Sequence, residues 1–578
     1  MKKLTILFFA LAIFLGNYSS SRACTNFLVT KGASADGSTF ITYAADSHTL
    51  YGELYFWKAQ DWVAGSLLKV NEWDTGKLLG HIEQVAHTYQ VIGNMNEFQL
   101  AIGETTFGGR DELGSQKGAI MDYGSLIYIT LSRAKNAREA IKIMGELVAK
   151  YGYYSSGESF SIQDPNEVWI LEMIGKADFD KGAVWVARRV PDGYISGHAN
   201  HARIETFPLS DGKTSISSKE FDKINLPTIS TVYAHDVVSF ARDRKWYTGA
   251  DKDFNFSEVY APVDFGGARF SEARVWAGFR KFNSQMDQYV DYAMGKIKRD
   301  EKTGFATNRM PLWIKPDHKL TVKELMDVMR DHYEGTPLDM TTDVGAGAFG
   351  LPYRWRPLTW KSDEVEYLNE RAIATQQTGF IFVAQSRSWL PEWVGGILWW
   401  GVDDAATNVF MPLYCGLDEV PENIKAGNGD MLTYSPTSMF WIFNRVTNFA
   451  YMRYSLVSKD IIETQTILEN KFIENTAAID AAAMSLYKAN PAKARQFVSE
   501  YSNAQVQFVF NTWQKLDQFL LVKYLDGNVK KEENRVFLRN GNDISLPASP
   551  NFPGYSEEWK KNVIKETGDK LKVQGASH

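Results

Sequence analysis

Cysteine is nearly absent: the 578 residues contain two, Cys24 and Cys415. Two thiols exclude a disulfide framework and a four-cysteine metal site, and leave room for at most one bridge. No HExxH occurs. The close histidine pair, His198 and His201 in GHANHAR, lacks the further ligands a metal site needs. The two histidines read as loop residues, and no metal is expected. No G-x-S-x-G elbow is present, which disfavours a serine nucleophile on a strand-to-helix turn. Gly345, Gly347 and Gly350 match GxGxxG, but LPYRWRP follows, and its prolines forbid the helix a dinucleotide motif requires. No basic run is interleaved with aromatics, and the net charge of −6 argues against nucleic acid as a partner. After the first 23 residues no second apolar span appears. No cofactor is implied.

What is present begins with residues 1–23, MKKLTILFFALAIFLGNYSSSRA. Lys2 and Lys3 precede an apolar stretch from Leu4 to Leu15, broken only by Thr5. That stretch is too short to span a bilayer and suits an export signal. Ser21 and Ala23 stand at −3 and −1 of a cut before Cys24. The expectation is an exported chain, periplasmic or extracellular, that starts at Cys24 and keeps no membrane attachment. A cut a few residues earlier would leave a short propeptide. A lipid-anchored cysteine is the other reading, but Ser21 and Arg22 replace the Leu and small residue usual in a lipidation signal. Cys415, in MPLYCG, reads as a small buried hydrophobe, and both thiols are expected to be free.

The length exceeds one compact core. Hydrophobic content of 44% and charged content of 23% are ordinary for a soluble globular protein. Aromatics at 13%, with 17 Trp, point to large cores and an aromatic-lined cleft. CTNFLVT (24–30) and FITYAAD (40–46) read as strands around an Asp-Gly turn, a hairpin that returns Asp46 toward Cys24. QVIGN and QLAIGETTF form a second pair over 90–107. Asn136 caps a helix over 136–150, with Glu139 three residues on and one apolar face. SFSIQ and VWILEMI flank a DPNE turn, and strand composition returns over 371–414. Strands, a helical layer and more strands indicate an α+β layered domain. The expected organisation is a catalytic domain over 24–430, a helical region over 431–530 in which Asn490 and Pro491 start a helix, and a Lys- and Glu-rich tail over 531–578, disordered at its end.

A cysteine with a free α-amine can act as a single-residue catalytic unit. The amine has an ordinary pKa of about 7.7–8.0 and can take the thiol proton; the thiolate is the nucleophile. The amine needs an anchor, for which Asp46 is suited, and the oxyanion needs donors, for which asparagine amides are suited. The residues alone do not choose among the asparagines. Seven stretches in order now carry a resemblance: ACTNFLVTKGASADGST (23–39), NMNEFQLAIGETTFGG (94–109), SRAKNAREAI (132–141), HANHARI (198–204), RFSEARVW (269–276), DHYEGTPLDMT (331–341) and AQSRSWLPEWVGGILWWG (384–401). The chain resembles the bacterial dipeptidase A family of N-terminal-nucleophile (Ntn) hydrolases, relatives of penicillin V acylase and bile salt hydrolase.

The resemblance implies a four-layer αββα sandwich with a mostly helical C-terminal extension. It implies Cys24 as nucleophile, Asp46 at the nucleophile and its amine, and Asn200 on the oxyanion side. Either Arg269 or Arg274 matches the active-site arginine, with Arg274 preferred. The acylases carry Arg three residues before the Asp, where Tyr43 stands here, and Glu104 and Thr105 occupy the place of a further oxyanion-side residue. Glu104 is a candidate for pairing with a dipeptide's ammonium, and Arg269 is the second candidate substrate contact. Plainer roles remain open: Asp46 as a turn cap, Asn200 as a loop amide, Arg274 as a structural ion pair, Glu104 as a structural carboxylate. The expected activity is hydrolysis of dipeptides through a thioester. The alternatives are an acyl-amide hydrolase of the penicillin acylase or bile salt hydrolase type, a lipid-anchored binding protein, and a metallopeptidase. The oligomeric state, a homo-oligomer included, stays open.

Overall fold

The computed structural model describes residues 24–541 and 545–575, so the expected export signal lies outside the described residues. Along the chain the strands that build the site are β1 (Asn26–Val29), β2 (Thr39–Asp46), β3 (Ala101–Phe107), β4 (Gly157–Gln163), β5 (Val168–Gly175), β6 (Ala183–Arg189), β7 (Ile195–His198), β8 (Thr378–Ser386), β9 (Ile397–Val402) and β10 (Met411–Tyr414). A seven-stranded antiparallel sheet runs Trp313–Ile314, β7, β1, β2, β8, β9, β10. A nine-stranded sheet runs Ser215–Ser217, Thr231–Tyr233, β6, β5, β4, β3, Met95–Asn96, Val91–Ile92, Phe56–Trp57, with its one parallel pairing at the Ser215–Ser217 edge.

The two sheets meet face to face: β1 and β2 of the first lie against β3, β4 and β5 of the second. Every residue of β2 is buried, TFITYAAD throughout. Such continuous burial marks a strand covered on both faces. Gly103 permits the close approach, since a Cβ there would stand 2.7 Å from Asn26 Oδ1 and 3.2 Å from Tyr43 Cβ.

Helix α1 (Tyr123–Leu131) and helix α2 (Ala137–Tyr151) pack on the nine-stranded sheet. Asn136 Oδ1 accepts the Glu139 N–H at 3.0 Å, a cap worth about 1 kcal/mol, and Ala140, Ile141, Met144 and Val148 form the buried face. The other sheet is covered by α3 (Ala273–Phe282), α4 (Val322–Val328), α5 (Met439–Tyr451), α6 (Tyr454–Ala489) and α7 (Pro491–Tyr524). Asn490 and Pro491 break the last pair, with Asn490 Oδ1 accepting the Ala492 N–H at 3.0 Å. These helices seal the sheet edge. Ser502 Oγ accepts the Tyr414 N–H at 3.1 Å, and Glu469 Oε1 accepts the Phe410 N–H at 3.0 Å, which occupies donors an open edge would expose. Phe472 and Trp513 join the same apolar core as the strands. The Lys- and Glu-rich tail carries the helix Glu557–Thr567, capped by Ser556; its last residues, 576–578, lie outside the described residues.

Candidate active site

Cys24 stands at the entrance to β1. The adjoining bridge pairs Thr25 with Ala44, whose N–H donates to the Thr25 carbonyl at 3.1 Å. That register carries Cys24 to the end of β2, where Asp46 sits. The β2–β8 pairing shifts between Ala45 and Asp46, and such a bulge re-aims the side chain beyond it. Asp46 Oδ2 accepts from Arg371 Nη2 at 3.0 Å and Oδ1 from Thr378 Oγ1 at 2.7 Å. Both Asp46 and Arg371 are buried. Burial pushes the Asp46 carboxyl up to about 6, against the opposing pull of Arg371, Thr378 and Arg274.

Across the sheet interface, Glu104 of β3 faces the thiol. Cys24 Sγ lies 3.6 Å from Glu104 Oε1 and 3.8 Å from the Tyr43 hydroxyl, which itself donates to that Oε1 at 2.5 Å. Asn26 Nδ2 donates to the Glu104 carbonyl at 2.6 Å and fixes the two strands. Burial raises the Cys24 thiol well above its ordinary value, and the charges of Glu104 and Asp46 raise it further. The Asp46 backbone N–H and the Tyr43 hydroxyl act in the lowering direction. The thiol therefore rests protonated, and attack by it would require a base to remove its proton as the bond forms.

Arg274 ties Cys24 to Asn200. Its Nη1 donates to the Cys24 carbonyl at 2.6 Å and to Thr25 Oγ1 at 2.8 Å; its Nη2 donates to Asn200 Oδ1 at 2.7 Å and to the Ala199 carbonyl at 3.2 Å. Burial, then the nearby Arg371, lower it to about 9. Asn200 adopts φ 61, the left-handed region that Asn tolerates better than most residues. With Oδ1 held by Arg274, its Nδ2 donates one N–H to the Thr106 carbonyl at 2.6 Å, and the same nitrogen carries a second. The segment is pinned by Glu172, which accepts the Arg203 and Ile204 N–H groups at 2.5 and 2.9 Å, and by the buried Arg203–Glu272 pair at 2.9 Å.

Arg269 is placed differently. It pairs with Glu370 and donates to Met294 Sδ at 2.6 Å. It does not line the cavity beside Cys24. Cys24, Asp46, Glu104, Asn200 and Arg274 come together; Arg269 does not join them. Arg371, Thr378 and Tyr43 belong to the cluster, yet the sequence assigns them no role. Tyr43 signals itself only as a departure from the acylase pattern, whereas Arg371 has no local motif. His198 is not a loop residue. It ends β7, buried, with Nδ1 2.7 Å from Thr105 Oγ1 and Nε2 2.7 Å from Ser161 Oγ, and burial brings it down to about 3, so it is neutral. Among the described residues no group of three or more His, Cys, Asp or Glu could hold a metal ion. Both cysteines are free thiols and buried.

A cavity of about 350 Å³ opens beside Cys24. Its walls include Tyr55, Trp73 and Tyr128, with ring centroids 4.5 to 5.7 Å apart. Trp73 arrives on a hairpin, Leu67–Asn71 paired with Leu78–Glu83, and rests on Gly124 at the start of α1. Asp46, Glu53, Asp74 and Glu104 also line the cavity, and among the described residues no Lys or Arg does.

The profile of peptidase family C69 matches residues 65–466, a segment that begins downstream of Cys24 and Asp46. A probable dipeptidase from Latilactobacillus sakei is 21% identical over 480 residues, covering 80% of this chain and 88% of that protein. A probable dipeptidase from Salmonella dublin is 22% identical over 436 residues, covering 71% and 85%. A probable dipeptidase A from Streptococcus pyogenes serotype M3 is 22% identical over 527 residues, covering 85% and 96%. With a profile match over well more than half of its length, the chain belongs to peptidase family C69.

Proposed function

We propose that this protein is an exported dipeptidase whose nucleophile is Cys24, freed as the first residue of the mature chain, on a four-layer αββα scaffold of the Ntn-hydrolase type. The observation that carries the reading is the convergence on Cys24 of Asp46, Glu104, Arg274 and, through Arg274, Asn200. Relatives named as dipeptidases support the substrate class. A cavity lined by carboxylates also favours a substrate with a free ammonium over a neutral acyl chain, which sets the acyl-amide alternative second.

The scissile carbonyl of the dipeptide lies over Sγ. The Cys24 α-amine takes the thiol proton as sulfur attacks, and the carbonyl electrons move onto oxygen. Asn200 Nδ2 and a backbone N–H receive that oxyanion. The C–N bond breaks as the ammonium returns its proton to the leaving amino group, leaving a thioester. Water, deprotonated by the same amine, attacks the thioester and releases the first amino acid with the thiol restored. Asp46 holds the amine, and Arg274 orients both Cys24 and Asn200.

The test joins N-terminal sequencing of the secreted protein to a dipeptide panel. The expected result is a chain starting at Cys24 that cleaves dipeptides and loses activity in Cys24→Ser with the fold intact. A fully active Cys24→Ser protein, or an active form whose first residue is blocked, overturns the mechanism.

A further inference from the structure

Two cavities of opposite charge share a wall next to Cys24. Among the described residues, the Cys24 cavity is lined by four carboxylates and no Lys or Arg. Ser47 and Leu50 line it and also line a neighbouring cavity of about 490 Å³. Among the described residues, the lining of that second cavity includes Arg356 and His48 and no Asp or Glu.

The second cavity is rich in donors. Arg356 Nη2 donates to Gln377 Oε1, while Arg356 Nη1 and Gln376 Nε2 are buried without an acceptor. Buried N–H groups without partners are costly, and a guanidinium fork matches a carboxylate better than any other side-chain donor. Its remaining walls include Trp355, Phe440 and Tyr451, apolar enough to cover an amino-acid side chain.

The cavity is also tied to the strand end that carries Asp46. The Ser47 N–H donates to the Gln377 carbonyl at 2.8 Å, and the next residue, Thr378, holds Asp46. Arg356, bonded to the Gln377 side chain, is thus joined to the Asp46 end of β2 through a single residue. In a dipeptide, the scissile carbonyl and the terminal carboxylate are separated by one residue of extended chain, about 3.5 Å.

We propose that the Arg356 cavity is the leaving-group subsite, in which Arg356 and Gln376 bind the C-terminal carboxylate of the dipeptide. The carboxylate-lined side holds the ammonium end, so the two cavities together match a zwitterion of one fixed length. This rests on the reading of Cys24 as a dipeptidase nucleophile and adds what measures the substrate's length.

Calorimetric titration of the full mature chain carrying Cys24→Ala tests it without turnover, using alanyl-leucine and its C-terminal amide. The expected result is tighter binding of the acid than of the amide. Adding Arg356→Gln should weaken the acid at least 30-fold and shift the amide less than 3-fold. Arg356→Lys, which keeps the charge but not the fork, should fall between, and it serves as the readout should the Gln variant melt early. Equal losses for acid and amide, or no binding of the acid by the Arg356 chain, overturn the subsite. Turnover of alanyl-leucine by the chain with Cys24 intact is scored separately. Turnover that depends on Cys24, with equal binding of acid and amide, removes the subsite alone. Binding that depends on Arg356 without turnover removes the nucleophile and leaves the subsite standing.

Discussion

Replacing Asp46 with asparagine removes one titrating group from the buried cluster around Cys24 and keeps its size. In the folded protein burial moves the Asp46 carboxyl from 3.8 up to about 6. The folded state thus holds this proton more tightly than the unfolded chain does. A pKa raised on folding gives a contribution that is complete below the unfolded value and disappears as pH rises through the folded value. A separation of about two units corresponds to roughly 3 kcal/mol. The amide introduced by Asp46→Asn titrates nowhere in this range. The difference in unfolding free energy, wild type minus variant, should therefore fall by roughly 3 kcal/mol between about pH 4 and pH 7.5 and then level. Groups that do not interact with Asp46 contribute equally in both chains and cancel. The Arg371 guanidinium left without its carboxylate shifts the variant by an amount that does not vary with pH and leaves the slope untouched. Urea unfolding followed by tryptophan fluorescence, at matched pH, measures the difference. A flat difference, or one that rises with pH, would refute the account of Asp46 as a carboxylate dominated by desolvation.

Cys415→Ala should keep full activity and lose about 1 kcal/mol, since Cys415 is wholly buried beside Gly396, far from any catalytic role; an inactive folded variant in a peptidase assay would contradict this. Asn200→Ala should lower kcat about 10²- to 10³-fold, because it removes the proposed oxyanion donor and leaves Arg274 Nη2 short of an acceptor; steady-state rates near wild type would remove Asn200 from the site. Gly124→Ala places a Cβ 2.3 Å from Trp73 Cγ, so the ring must move. It should cost about 1–3 kcal/mol and raise KM for dipeptides, and unchanged melting and kinetics would show that Trp73 does not shape the cavity.

Local signals carried much of the scaffold. The hairpin that returns Asp46 to Cys24 was legible from two apolar runs around Asp-Gly, and Asn136 and Asn490–Pro491 announced their helices by capping chemistry. The Trp73 hairpin left little trace, because its strands are mostly exposed and lack clean alternation. Arg371 was invisible for a different reason. It meets Asp46 across 325 residues of chain, with no period or motif to link them. The choice between Arg269 and Arg274 also exceeded what spacing can resolve. A π-helical turn over Gly267–Glu272 precedes α3, so the regular advance per residue does not hold between these positions. The structure sends Arg274 to the Cys24 carbonyl and Arg269 to Glu370.

The electrostatics of the cluster bear on when the thiol reacts. Burial first, then the charges of Glu104 and Asp46, oppose thiolate formation, so an empty site keeps its sulfur protonated and shielded from adventitious alkylation or oxidation. On the dipeptidase reading, the arriving ammonium sits two bonds from the scissile carbonyl carbon and close to Glu104. It offsets the carboxylate charge at the moment the nucleophile is needed, which favours the thiolate. The same acidic lining then serves recognition and restraint together. A basic residue in place of Glu104 would activate the free thiol while repelling the substrate, whereas a neutral one would lose the discrimination between peptides with a free amine and those without.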